Sequence, residues 1–162
     1  MQAKNIRPGV GLGDVLFGQS VEDVERLLGP APESSFERDE DGSTRTLAYP
    51  AEGIHLFFYE EDGFRLCSIE ISLAAGAYCL FGTPLRAVDK KAVIDLLSRH
   101  LLPAEMKDIK EEPLEAIEQS ALSVPVLKAT FYFDRDGILE DLNWGPLFGP
   151  DDKVIWPLVP FS

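Results

Sequence analysis

The sequence predicts an α+β protein in which two halves, each one helix followed by one β-hairpin, form an antiparallel sheet with the helices packed on one face. Three observations predict this class. Apolar residues recur at helical spacing in two segments, they alternate with polar residues in two later segments, and an Asp-Gly dipeptide lies within each alternating region. The 162-residue length fits one domain, and an apolar content of 45% is enough to form a core.

The first helix is predicted within residues 20–30, SVEDVERLLGP. Ser20 is a candidate N-cap, and Asp23, three residues later, can return a hydrogen bond to the cap as in a capping box. Gly29 can adopt the left-handed conformation that ends a helix, and Pro30 prevents continuation. One apolar stripe would face the core, formed by Val21, Val24, Leu27 and Leu28.

The first hairpin is predicted around Asp62-Gly63. This dipeptide favours a type I′ turn, in which both central residues have positive φ. Residues 54–59 before it are apolar at almost every position, which indicates a central strand. After the turn, apolar residues occupy every second position, at Cys67, Ile69, Ile71 and Leu73.

The second half repeats the order of helix and hairpin. Asp89 is the candidate N-cap of the second helix, and residues 104–120 are expected to form a loop with one short helix. A second hairpin is predicted around Asp136-Gly137. The apolar stripe of the second helix consists of Val93, Leu96, Leu97 and Leu101.

We interpret this repetition as an internal duplication within a single domain, residues 1–162, although the order could also recur by chance. Residues 10–76 would form the first half, residues 77–145 the second, and residues 146–162 a tail. Prolines interrupt this region, so we expect the tail to cover a sheet edge; an exposed partner-binding patch is the alternative. Its region carries four large aromatic residues, Trp144, Phe148, Trp156 and Phe161.

The charge balance narrows the class of partner. Lys and Arg number 15 and Asp and Glu number 28, giving a formal net charge of −13. Nucleic acid binding requires clustered basic residues, so a nucleic acid partner is excluded, whereas a basic protein would be attracted. Plain solubility is the alternative explanation of the charge. The N-terminal residues lack the apolar segment of a signal peptide, and no membrane span is present in the sequence, so we expect a cytoplasmic location.

No catalytic residue, metal site or cofactor is predicted. Cys67 and Cys79 lie in apolar runs without ligand spacing, and His55 and His100 have no second ligand nearby in the sequence. The glycine-rich residues 9–13 lack the spacing of a dinucleotide loop and the Gly-Lys-Ser/Thr of a phosphate loop. Asp14 would also repel a phosphate group.

The residues LFGQSVEDVERLLGP, from Leu16 to Pro30, resemble a motif of small bacterial domains of the SmpA/OmlA lipoprotein type, with a weaker echo from Leu80. The tandem arrangement of helix and sheet is similar to the β-lactamase inhibitor protein family, whose two repeats present one continuous sheet to a target enzyme. The resemblance implies a class of small domains that bind proteins and perform no chemistry. It transfers no functional residue to this chain.

Two functions of different classes follow from these observations. The first is a non-enzymatic, acidic protein-binding module of the immunity or inhibitor-like kind, which binds through its exposed turns at Asp39, Glu40, Asp41, Glu60, Glu61 and Asp62. The second is a small-molecule-binding module or enzyme with a pocket between sheet and helices, lined by Phe57, Tyr59, Tyr132 and Trp144. A purely structural subunit with an apolar dimer interface is a third possibility. The sequence leaves the oligomeric state open.

Overall fold

A computed structural model describes residues 4–157. Within that range, 47% of the residues lie in strands and 21% in helices, arranged as sheets of eight, five and two strands with three α-helices. The predicted α+β class, with two helix-then-hairpin halves, is therefore wrong. The protein is mostly β because each long helix is followed by four strands of the large sheet instead of two.

The elements of the N-terminal part are seven strands and one α-helix, with a 3₁₀ turn at Glu60–Asp62. In chain order they are β1 (Lys4–Arg7), β2 (Gly11–Leu12), β3 (Val15–Leu16), α1 (Val21–Leu28), β4 (Glu33–Asp39), β5 (Gly42–Tyr49), β6 (Ile54–Tyr59) and β7 (Arg65–Ser72).

The C-terminal part contains eight strands and two α-helices, with 3₁₀ turns at Glu115–Ile117 and Pro125–Leu127. In chain order its elements are β8 (Tyr78–Leu80), β9 (Thr83–Pro84), α2 (Lys90–His100), α3 (Pro103–Lys107), β10 (Lys110–Leu114), β11 (Gln119–Val124), β12 (Ala129–Phe133), β13 (Leu139–Trp144), β14 (Leu147–Phe148) and β15 (Val154–Ile155).

The eight-stranded sheet has the order β10-β11-β12-β13-β7-β6-β5-β4 and is antiparallel throughout. Two four-stranded meanders, β4–β7 and β10–β13, meet where their last strands pair. In this seam Ile69 lies opposite Trp144 and Ser72 opposite Asp141. The order of strands is thus symmetric about the seam, while the internal duplication itself stays a prediction.

Both long helices begin where the sequence places them. The Ser20 hydroxyl accepts a hydrogen bond from the Asp23 amide at 3.1 Å, and the Asp23 carboxylate accepts one from the Ser20 amide at 3.4 Å. The Asp89 carboxylate accepts a bond from the Ala92 amide at 2.8 Å and caps α2. The predicted N-caps are therefore confirmed, because a cap depends on local sequence alone.

The two predicted hairpins form, but their turns differ from type I′. The strands β6 and β7 pair antiparallel, and so do β12 and β13. At the first turn Gly63 has a φ of 69°, and at the second Gly137 has a φ of 79°, whereas Asp62 and Asp136 do not adopt positive φ. Only the glycine of each dipeptide therefore uses the left-handed region, and the expected type I′ geometry is wrong.

Four strands of the large sheet were not predicted, and two of them, β4 and β10, are its edge strands. All seven residues of β4 are exposed, and four of the five residues of β10 are exposed. Such strands contribute backbone hydrogen bonds without a buried side-chain row, so they lack the alternating apolar signal of a half-buried strand. Residues 104–120 accordingly contain the expected short helix, α3, but continue into two strands instead of a loop.

The core lies on one face of the large sheet, which we call the core face. Paired residues across the sheet share this face, as in the row Ile54, Ile71, Leu142 and Phe131. Helices α1 and α2 and the small sheet, which has the order β3-β2-β1-β8-β9, supply side chains to the same cluster, including Phe17, Val24 and Leu97. The opposite face, the open face, carries the alternate residues of each strand.

The tail forms a short ribbon beside the open face. Strands β14 and β15 pair antiparallel. The ammonium group of Lys128 lies 5.0 Å from the centre of the Phe148 ring, and the guanidinium group of Arg65 lies 5.5 Å from that of Trp156. These contacts place the ribbon near the central strands of the large sheet. The predicted position, over a sheet edge, is therefore not the one that the ribbon takes. Phe161 and the rest of residues 158–162 lie outside the described part of the chain.

Candidate functional site

The open face of the large sheet is polar at its centre. The register of four neighbouring strands places His55 opposite Glu70, Glu70 opposite Asn143, and Asn143 opposite Thr130. The Asn143 amide donates a hydrogen bond to the Ser68 hydroxyl at 3.0 Å. The face is thus suited to polar contacts over its central strands.

The two acidic turns predicted to bind a partner lie at the same end of the sheet. One is the turn between β4 and β5, and the other is the 3₁₀ turn between β6 and β7. A Cβ atom added to Gly42 in the first turn would lie 3.8 Å from Cβ of Glu60 in the second. We call the six residues the acidic end, which consists of Asp39, Glu40, Asp41, Glu60, Glu61 and Asp62.

A shallow recess of about 190 Å³ lies between the two turns. Four carboxylate residues line it, namely Asp39, Asp41, Glu60 and Glu61. The Asp39 carboxylate accepts a hydrogen bond from the Asp41 amide at 2.8 Å and so shapes the first turn. The recess brings together acids that are about 20 positions apart in the sequence, because β5 and β6 pair side by side.

The carboxylates of the acidic end form no ion pair within the described residues. Across residues 4–157, four ion pairs are formed, and none of them includes a residue of the acidic end. Exposed charges without partners are well solvated and therefore stable, but they also attract a positively charged surface over roughly one Debye length, about 8–10 Å.

The four aromatic residues proposed to line a pocket do not lie together. Phe57, Tyr59 and Tyr132 are half-buried on the open face, whereas Trp144 is buried on the core face with 1% of its surface exposed. The Trp144 indole donates a hydrogen bond to the carbonyl oxygen of Gly11 at 3.2 Å. Trp144 thus fills the space between the sheet and the small sheet, where a ligand pocket would have to lie.

A second recess, of about 330 Å³, lies between the open face and the tail ribbon. Tyr59, Cys67 and Lys128 line it. Cys67 is an extra residue in the β6–β7 register, since Phe57 pairs with Ser68 and Phe58 with Leu66. Burial raises the pKa of the Cys67 thiol to about 12, and its Sγ lies 3.3 Å from the carbonyl oxygen of Phe57. A thiol held in its protonated form is a poor nucleophile.

Gly11 of the glycine-rich segment and His100 make packing contacts with neighbouring residues. Gly11 is buried in β2 and leaves no space for a side chain, because an added Cβ would lie 1.9 Å from the Val15 carbonyl oxygen. His100 stacks on Phe81 with ring centres 4.3 Å apart. Cys67 and Cys79 are free thiols. In the part of the chain that the structure describes, no group of three or more His, Cys, Asp or Glu residues is placed to hold a metal ion.

No family model, curated protein or solved structure matches this chain. The resemblance to the SmpA/OmlA lipoprotein and β-lactamase inhibitor protein types accordingly stays a prediction. Between residues 4 and 157, none of the helices has both the length and the apolar character needed to cross a bilayer.

Three polar residues at the centre of the open face were not predicted from the sequence, namely Glu70, Asp141 and Asn143. Burial raises the pKa of the Asp141 carboxyl above its usual range, and the charges of Glu70 and Glu140 raise it further, while His55 opposes them. Asp141 lies opposite Ser72 on one neighbouring strand and Tyr132 on the other. These contacts join residues that are far apart in the sequence, so only the strand register could have revealed them.

Replacing Asp141 with Asn is expected to stabilise the protein at neutral pH. A raised pKa means that the folded state holds the proton more tightly than the unfolded chain does, so ionised Asp141 destabilises the fold. This penalty is present above the pKa of the folded state and disappears as the pH falls below the ordinary value of 3.8. Urea unfolding should therefore show a more stable D141N variant at pH 7 and no difference near pH 3.

The control for this measurement is Asp136→Asn, which removes the same charge from an exposed turn. If D136N stabilised the protein as much as D141N did at pH 7, general relief of the net charge would explain the effect, and the assigned role of Asp141 would be wrong.

Proposed function

We propose that this protein is a non-enzymatic module that binds a basic partner protein through the acidic end of its large sheet. The observation that carries the proposal is the convergence of two acidic turns from neighbouring hairpins, whose six carboxylates form no ion pair within residues 4–157. Such a surface accelerates association with a positively charged partner and discriminates against acidic ones. The form of this proposal is an immunity-like or inhibitor-like role, in analogy with acidic proteins that neutralise a partner and not on the ground of sequence similarity.

A cytoplasmic location is part of the same proposal. Its support is the pair of free cysteines, one buried and one half-buried, together with the acidic composition. Thiols persist in a reducing compartment, whereas small secreted domains use cysteines in disulfide frameworks. A nucleic acid partner is not part of the proposal, because the acidic end would be repelled by phosphate groups.

The alternative of a small-molecule site between sheet and helices is less well supported. The core face of the sheet is occupied by buried side chains, and Trp144 is one of them. The recesses at the acidic end and beneath the tail ribbon open at the surface. They do not bring Phe57, Tyr59, Tyr132 and Trp144 together.

The experiment compares two variants that change the net charge equally. The first neutralises the recess at the acidic end through D39N, D41N, E60Q and E61Q. The matched control neutralises four exposed acids elsewhere, through D108N, E112Q, E115Q and D136N. Asn at position 39 keeps an oxygen that can accept the hydrogen bond from the Asp41 amide, so the turn is preserved.

Each protein is immobilised and exposed to a lysate of the source cells, and the retained basic proteins are identified and quantified between 0.05 and 0.5 M NaCl. Each exposed ion pair between the acidic end and the partner is worth roughly 0.2–1 kcal/mol. Loss of four such pairs should therefore make the first variant bind its partner about ten-fold more weakly, whereas the control should bind normally. Equal retention by both variants, or retention that is indifferent to salt, would contradict the proposal.

A further inference from the structure

The two edges of the eight-stranded sheet differ in how they are protected. Strand β10 carries Lys110 and Pro113, two residue types that discourage pairing with another strand. Strand β4, with the sequence ESSFERD, contains no Pro or Gly and pairs with β5 over seven positions without a register shift, and its charged residues are three acids and Arg38. All seven residues of β4 are exposed. One edge is therefore blocked, and the other is a regular, accessible strand.

The backbone groups of β4 that face outward can be assigned from its turn. Asp39 pairs with Gly42 across the two-residue turn at Glu40 and Asp41. In a two-residue hairpin the flanking residues exchange hydrogen bonds with each other, and the pairing alternates along the strand. The N–H and C=O groups of every second residue therefore point away from β5, at Ser34, Phe36 and Arg38.

The side chains of β4 separate by charge and polarity. Glu33, Ser35, Glu37 and Asp39 occupy alternate positions, so they share the open face, and Asp39 continues into the acidic end. Phe36 lies on the opposite side with 62% of its surface exposed, and its ring centre is 6.1 Å from that of Phe64. Arg38 lies on the same side of the strand as Phe36. A strand added at this edge would therefore meet three carboxylates and Ser35 on the open face, and an aromatic ring beside a guanidinium group on the other.

A second copy of the chain is a poor occupant of this edge. Two copies can be related by a two-fold axis perpendicular to the sheet, which keeps their core faces on the same side. Strand β4 of one copy then pairs antiparallel with β4 of the other, and one residue of β4 lies on the axis. Centred on Phe36, this arrangement places Glu33 opposite Asp39 of the second copy, and centred on Ser35 it places Glu33 opposite Glu37 of the second copy. Like charges directly opposite each other destabilise a strand pair.

We propose that β4 binds an extended segment of the partner protein by strand addition, and that this segment carries Lys or Arg at alternate positions. The inference rests on the proposed function and specifies the partner's chemistry and binding geometry. Backbone hydrogen bonds from Ser34, Phe36 and Arg38 supply affinity that is independent of sequence. The carboxylates of Glu33, Glu37 and Asp39 select basic residues, and Phe36 contacts an apolar residue between them.

The test uses a labelled seven-residue peptide in which Lys alternates with Val, and a matched peptide in which Glu replaces Lys. Fluorescence anisotropy measures their binding to the whole protein. The informative variant is Ser34→Pro, which removes an outward N–H and leaves the hydrogen bonds to β5 in place. The matched control is Glu111→Pro on the blocked edge, next but one to Pro113, which loses only an exposed ion pair with Lys90.

We expect the wild-type protein and E111P to bind the Lys peptide, and S34P to bind it at least ten-fold more weakly. Where S34P loses its β-structure by circular dichroism, the unchanged protein is tested with a Lys peptide N-methylated at alternate positions, which should bind ten-fold more weakly. Equal binding by folded S34P, or by the N-methylated peptide, would overturn strand addition. A dimer of the wild-type protein that S34P dissociates in sedimentation would also overturn it, because the edge would then bind a second copy.

The variant neutralised at Asp39, Asp41, Glu60 and Glu61 separates this inference from the proposed function. Loss of peptide binding in that variant, together with normal binding by S34P, would leave the acidic end as the binding surface and reject the edge. Equal binding of the Lys and Glu peptides by the wild-type protein, or no binding of either, would reject strand addition of a basic segment, while the proposed function stands or falls on the retention experiment with the two charge variants.

Discussion

Trp144→Ala is expected to lower the free energy of unfolding by about 3–5 kcal/mol, the typical cost of removing a large buried aromatic side chain. Trp144 is among the largest fully buried side chains, with 1% of its surface exposed. It lies in the seam opposite Ile69 and donates a hydrogen bond to the Gly11 carbonyl oxygen, so it connects both meanders to the small sheet. Its loss would leave a cavity in the core and remove the hydrogen bond to the Gly11 carbonyl oxygen.

Urea unfolding followed by circular dichroism measures this effect. The control is Tyr132→Ala, which removes a large aromatic side chain from the open face, where the ring is only half-buried. We expect Y132A to cost clearly less than W144A, since less apolar surface is lost from the folded state. A W144A variant that lost under about 1 kcal/mol would contradict the position of Trp144 on the core face.

Gly11→Ala is expected to destabilise the protein by about 2–4 kcal/mol, through steric overlap and backbone strain together. An added Cβ would lie 1.9 Å from the Val15 carbonyl oxygen and 2.9 Å from the Leu16 Cα. Both are backbone atoms of β3, which pairs with β2, so neither can move without breaking that pairing. The glycine permits the close approach of two strands.

Gly13→Ala is the matched control, because Gly13 belongs to the same glycine-rich segment. Its φ is 57°, and an added Cβ would meet nothing within 4 Å. Only the left-handed backbone then opposes the substitution, which costs roughly 1 kcal/mol. Thermal unfolding of both variants should rank G11A well below G13A. Equal melting temperatures would show that the contact with Val15 is not the cause.

The sequence could predict the elements whose signals are local. The capping residues Ser20 and Asp89 predicted two helices correctly, because a cap depends on neighbours three residues away. The alternation after Gly63 predicted β7, because β7 has one buried face. These signals describe individual elements and carry no information about how many further strands join the sheet.

The fold class could not be predicted for the same physical reason. Most residues of β4 and β10 are exposed, and more than half of them are charged, so these segments resemble a loop by composition and become strands only by pairing with a neighbour. The face of the sheet on which Trp144 lies depends on the register of β13 with β7, which the sequence does not reveal, so its predicted place in a pocket was wrong. The residues of the acidic end were predicted individually, but their convergence depends on the pairing of β5 with β6.

The seam between β7 and β13 bears on the order in which the strands of the large sheet assemble during folding. Within each meander, consecutive strands pair with their neighbours in sequence, so these contacts close short loops. The seam joins residues roughly 70 positions apart, and their closure costs more chain entropy. We therefore expect each meander to gain structure before the seam forms. Substitutions in the seam would then chiefly accelerate unfolding, while those within a meander would also slow folding.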